Sequence, residues 1–189
     1  MRPTLTTGRL LLEPLTLGHT ELLVELDSDP EVLRFIFGRG LSRAEVVDTW
    51  MPTRTRPDAD ARGLGYWVGH AGPEFLGWWC LNVDDTDPTT AELGYRLRRS
   101  AWGHGYATEG SLALLAHAFD TVGLDRVWAE TMAVNQGSRG VLAKCGLRHV
   151  GTEVRQWEHP LPGWEQGEVR YEITRAAFDS SAERPDFSG

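Results

Sequence analysis

The stretches ELGYRL, residues 92–97, and WGHGYATE, residues 102–109, decide the fold of this chain. The first closes a strand expected over Ala91 to Leu97. The second is a glycine turn opening a long helix over Tyr106 to Thr121, where Leu112, Leu115, Ala116 and Phe119 recur at i, i+3, i+4 and i+7. Gly103 and Gly105 remove Cβ atoms, so the backbone can approach a ligand with several N–H groups pointing outward. The positive end of the helix dipole adds to them, and together they make a cradle for a diphosphate. A turn that merely reverses the chain would read the same way. A dinucleotide fingerprint fits poorly, because Thr108 stands where its third glycine belongs. No Gly-Lys-Ser/Thr follows, which excludes an NTPase phosphate loop.

Working outward, Gly65 to His70, Phe75 to Val83 and Ala91 to Leu97 read as an antiparallel meander separated by turn signals. Phe75 to Val83 (FLGWWCLNV) is apolar on both alternating sets, as in a central strand covered on both faces. Upstream lie a strand over Arg9 to Pro14 and a helix over His19 to Leu26. A second helix follows over Ser42 to Trp50, with a Ser42/Glu45 capping box and an end near Pro52. The polar stretch from Pro52 to Gly63 predicts a mobile surface loop. Downstream, a strand over Asp125 to Val134 precedes a helix over Gln136 to Lys144, with Asn135 as N-cap and Gly146 beyond its end. Strands over Arg148 to Gln156 and Glu168 to Arg175 flank a Pro/Gly-rich turn. The expectation is one domain over residues 1–179 and a polar tail over 180–189.

With 189 residues, 41% of them hydrophobic, the chain can bury one good core. The net charge of -8 argues against nonspecific nucleic-acid binding. No apolar run suits a membrane span or signal peptide, so a cytoplasmic location and no membrane partner are expected. Cys80 and Cys145 show no ligand spacing and read as buried thiols; no metal site is expected. Trp67, Trp78, Trp79 and Trp128 read as core, whereas Trp50 and Trp157 lie near loops.

ELGYRL, GHGYATEG and the run GLDRVWAETMAVNQGSRGVLAKCGLRHVGTE resemble the GNAT acetyltransferase superfamily, in particular its ribosomal-protein N-terminal acetyltransferase-like branch. The likeness is strongest over Glu92 to Glu153 and extends more weakly to TGRLLLEPL near the start. It implies an α+β fold: a single GNAT-like domain with a mixed, mostly antiparallel sheet of about seven strands, a central splay and flanking helices. It also implies acetyl-CoA as cosubstrate and an amine acceptor, and a homodimer is expected. Three positions depart from the superfamily: Ser100 where Gln or Arg is usual, His104 between the glycines, and Arg99 where proline is common.

On this reading the donor is held by Arg96, Leu97, Arg98, Trp102, Gly103, His104, Gly105, Tyr106, Ala107, Asn135, Ser138 and Arg139. Arg98, Arg99, Arg139 and Lys144 are the candidate phosphate charges, and amides near Arg96 and Leu97 the candidate oxyanion hole. Glu92 is the candidate base for the amine; a solvated strand carboxylate reads equally well. Ser138 is the candidate partner of the leaving thiolate, since Leu142 occupies the place where many members carry tyrosine. The reaction is direct transfer to a primary amine, on a protein N-terminus or on a small molecule such as an antibiotic, polyamine or amino acid. The competing reading is a silent acyl-CoA-binding module.

Overall fold

The structure is a computed structural model that describes residues 2–181; most of the expected tail lies outside the described residues. Among the described residues eight strands form one sheet in the order β1-β2-β3-β4-β5-β6-β8-β7. They are β1 (Leu5–Thr6), β2 (Leu11–Pro14), β3 (Gly65–Ala71), β4 (Glu74–Val83), β5 (Thr90–Leu97), β6 (Arg126–Met132), β7 (Arg148–Glu153) and β8 (Glu168–Thr174). All neighbours are antiparallel except β5 and β6. The strand beyond the seven expected is β1, whose two residues are too short to carry a period.

Helix α1 is Thr20–Ser28, and a π-helical turn over Glu45–Trp50 runs into α2 (Met51–Arg54). The capping box is present: the Ser42 amide donates to Glu45 Oε2 at 2.8 Å and the Glu45 amide to Ser42 Oγ at 3.3 Å. The helical path continues past Pro52, which stands second in α2 directly after the π-helical turn. The expected loop from Pro52 to Gly63 is therefore largely helical, with α3 (Pro57–Ala61) also opening on a proline. Long-range ties hold this segment: the Arg2 amide and Nε both donate to Asp60 Oδ1, at 3.1 and 3.0 Å.

Helix α4 (Tyr106–Ala116) continues as a π-helical stretch to Val122 and stops at Gly123, whose φ is 87°. α5 (Gln136–Lys144) has the expected bounds, and α6 (Arg175–Asp179) closes the described chain.

Strand β4 serves both cores. Trp79 and Leu81 face α4 together with Trp67, Leu93, Leu114 and Phe119. Trp78 and Cys80 face α1 and the π-helical turn together with Leu23, Leu26, Val46 and Met51. Both cysteines are buried, as expected.

Trp79 sets the height of α4 above the sheet, because its Nε1 donates to the Ala107 carbonyl at 3.2 Å. Its ring fills the space over Gly110, where an added Cβ would stand 2.5 Å from the indole. Gly110→Val is expected to cost about 1–3 kcal/mol through overpacking, read as a lowered melting temperature.

On the other face Asp27, fully buried, holds two guanidiniums, Arg54 at 2.8 Å and Arg96 at 2.6 Å. Arg54 also lies over the rings of Trp50, Tyr66 and Trp78, and Arg96 over Trp78. One carboxylate thus ties α1, α2 and β5 together.

Candidate active site

The sheet opens where the sequence places its chemistry. β5 pairs with β6 through Thr90↔Arg126, Ala91↔Val127 and Glu92↔Trp128, and no further, whereas it stays paired with β4 to Leu97. Two hydrogen bonds set which amides face the opening. The Thr89 carbonyl accepts from the Asp125 amide at 2.9 Å, toward β6, and the Arg98 amide donates to the Leu76 carbonyl at 2.8 Å, toward β4. Strand alternation then turns the amides of Tyr95 and Leu97, past the last pair with β6, to the open edge. The Leu97 carbonyl on that edge accepts from the Trp102 indole at 2.9 Å. Arg96 departs from the expectation, since its amide faces β4; its guanidinium is held by Asp27.

Below the opening, Gly103 and Gly105 have φ of 76° and 82°, the left-handed region that favours glycine. Among the described residues no backbone or side-chain acceptor meets the amides from Gly103 to Thr108; the first bonded one is Glu109, to the Gly105 carbonyl. Arg9 braces this loop from the β1–β2 turn. It donates to the His104 carbonyl at 3.0 Å, pairs with Glu109 at 2.5 Å and lies 4.7 Å from the Tyr106 ring centroid. A Cβ on Gly105 would stand 3.4 Å from its Nη2. For Gly105→Ala, left-handed strain of about 1–2 kcal/mol is expected to displace the amides. The KM for acetyl-CoA should then rise roughly 5–30-fold in steady-state kinetics.

The candidate phosphate charges are arranged otherwise than expected. Arg98 pairs with Glu25 and lies over Phe75, and Arg99 pairs with Asp29 at 2.8 Å, so α1 and its C-cap residue hold both. Arg139 donates to the Ala133 carbonyl at 3.0 Å and to the Tyr171 hydroxyl at 3.3 Å. Lys144 is in the last turn of α5, at the far end from Asn135. His104 stacks on Tyr106, and Trp102 is half-exposed.

Across the opening, Asn135 caps α5 by accepting from the Ser138 amide at 3.1 Å and donates to Thr131 Oγ1 at 3.1 Å. Ser138 Oγ lies 2.9 Å from the Tyr95 hydroxyl. The sequence reading passed over Tyr95 because nothing in ELGYRL alone places its ring toward α5. Leu142 is buried.

Glu92 lies on the opposite face from α4, in register with Asn82 and Trp128. Burial pushes its carboxyl above the ordinary range, opposed by a 3.1 Å hydrogen bond from Asn82 and reinforced by Glu130. Trp128 is partly exposed with Arg170 4.1 Å over its ring, a correction to the core assignment. Beside it Arg155 pairs with Glu130 at 2.7 Å and Glu168 at 2.8 Å. Trp157 is exposed nearby in sequence, in the turn that follows Arg155.

The model of the acetyltransferase (GNAT) domain matches residues 9–148. The chain belongs to the GNAT acetyltransferase family. FsC-acetyl coenzyme A-N(2)-transacetylase of Aspergillus fumigatus is 42% identical over 184 residues, covering 92% of this chain and 77% of that protein. Among solved structures, Mycobacterium smegmatis RimJ in complex with CoA-disulfide is 26% identical with a TM-score of 0.74, covering 92% of this chain and 86% of that one. The spermidine N-acetyltransferase of Vibrio cholerae, with CoA and spermine, is 16% identical with a TM-score of 0.76, covering 90% and 98%, and shares the fold. This GNAT chain is an acetyltransferase with acetyl-CoA as donor and an amine as acceptor. Among its described residues no helix is long and apolar enough to cross a membrane.

Proposed function

We propose that the acceptor is a small molecule carrying its reactive nitrogen at position 2, the α-amine of an amino-acid unit, and that transfer is direct. The 42% identity to an enzyme named for an N(2) nitrogen supports this acceptor. The single observation that carries the donor geometry is the run of unpartnered amides from Gly103 to Thr108. The amides take the diphosphate, and the pantetheine arm follows the open edge of β5 toward Glu92.

Glu92 takes the proton of the attacking amine, directly or through water. Its raised pKa brings it closer to the pH at which it must exchange protons. The amine attacks the thioester carbonyl, whose developing charge is met by an open-edge amide of β5, worth about 2.7–4 kcal/mol in comparable sites. As the tetrahedral intermediate collapses, the C–S bond breaks and the thiolate is met by the Ser138 hydroxyl. A serine hydroxyl is too weak an acid to release its proton freely near neutral pH, so hydrogen bonding dominates its role.

A thiol-release assay with acetyl-CoA and a panel of amines tests the reading. Turnover with α-amines of amino-acid derivatives is expected. Turnover only with peptides bearing a free N-terminus would favour the protein acceptor, a reading suggested by the likeness to RimJ. CoA binding with no turnover on any amine would favour the silent module. A cytoplasmic location, where acetyl-CoA is available, and a homodimer complete the proposal. β7 lies at the sheet edge with Val150 exposed, a surface suited to a second copy.

A further inference from the structure

We infer that Tyr95 is a positioning residue that acts through Ser138, turning the serine's hydrogen toward the sulfur of the leaving thiolate. The inference rests on the proposed role of Ser138. Tyr95 belongs to the catalytic strand β5, and its hydroxyl reaches the first turn of α5, on the far side of the opening. There it lies 2.9 Å from Ser138 Oγ and 3.1 Å from the Ser138 carbonyl.

The phenol has one hydrogen and two acceptors within reach. In one arrangement it donates to the carbonyl, and the serine hydroxyl donates back to the phenol oxygen. In the other it donates to Oγ, which frees the serine hydrogen for an acceptor in the opening. The exchange rotates two hydroxyls and moves no heavy atom. The carbonyl keeps its helical partner throughout. The second arrangement is favoured only when an acceptor such as a thiolate is present. Burial raises the Tyr95 pKa, so the phenol remains protonated across the working range and acts as a donor. No net proton leaves Tyr95 in this scheme; the hydrogen bonded to the sulfur is the serine's own.

A tyrosine that only braced β5 against α5 would change stability or donor affinity, with no dependence on the Ser138 hydroxyl. Tyr95→Phe keeps the ring and removes the contact. The test measures kcat and the KM for acetyl-CoA in the wild type, Tyr95→Phe, Ser138→Ala and the double variant, with thermal melts of each. The expectation is a 3–10-fold fall in kcat for Tyr95→Phe at nearly constant KM, and no further fall when it is added to Ser138→Ala. Independent, multiplying effects of the two substitutions would overturn the inference, as would an unchanged kcat for Tyr95→Phe while Ser138→Ala is impaired. An unchanged kcat for Ser138→Ala identifies failure of the serine's proposed role instead, and the inference falls with it.

Discussion

Glu92→Gln is expected to lower kcat/KM for the amine by about 10²–10⁴, the usual contribution of a positioned general base. The substitution keeps the shape of the side chain and an oxygen for the 3.1 Å hydrogen bond from Asn82, so folding and donor binding should persist. The pH dependence carries the sign. A base works deprotonated, so kcat/KM should climb as pH rises through the Glu92 pKa. Burial places that rise above the ordinary glutamate value of about 4.3. Ionisation of the amine itself produces a second rise that survives the substitution, whereas the Glu92 limb should vanish. A variant within twofold of the wild type at every pH would assign the base elsewhere.

Asp27→Asn should produce the largest loss of stability. The change leaves Arg54 and Arg96, both buried, without the carboxylate that bonds them at 2.8 and 2.6 Å. Removing one partner from a buried ion pair costs about 3–5 kcal/mol, because the remaining charge stays desolvated. At roughly 2–4 °C per kcal/mol for a domain of this size, the melting temperature should fall about 6–20 °C. Replacing all three groups together by apolar residues of similar volume should cost far less. A shift of under 2 °C for Asp27→Asn would mean that the surrounding rings of Trp50, Tyr66 and Trp78 carry the guanidiniums instead.

These expectations show which parts of the molecule were legible in its sequence. The meander of β3, β4 and β5 and the helix starting at Tyr106 were readable because apolar periodicity and glycine punctuation are local properties. The same holds for the Asn135 cap, which is bonded to Ser138 three residues away. The segment from Pro52 to Gly63 was misread because its polar composition conceals two prolines placed in first helical turns. The site was legible in its backbone and less so in its side chains. Gly103 and Gly105 announced the loop, but Arg9 braces it from almost a hundred residues away, and no pattern near Gly105 names that partner. Arg96 and Arg98 were expected at the donor, Arg96 through its amide and Arg98 through its charge. Their partners, Asp27 and Glu25, come from α1, so only the tertiary fold reveals where these cations point.

In the proposed function the main-chain amides between Gly103 and Thr108 grip the donor's diphosphate. The most direct measurement is amide nuclear magnetic resonance of the isotopically labelled protein, titrated in parallel with CoA and with pantetheine, which lacks the diphosphate. Large shifts at Gly103, His104 and Gly105 with CoA, and small ones with pantetheine, are the predicted result. Resonances of that loop left unmoved by saturating CoA, or moved equally by both compounds, would contradict it.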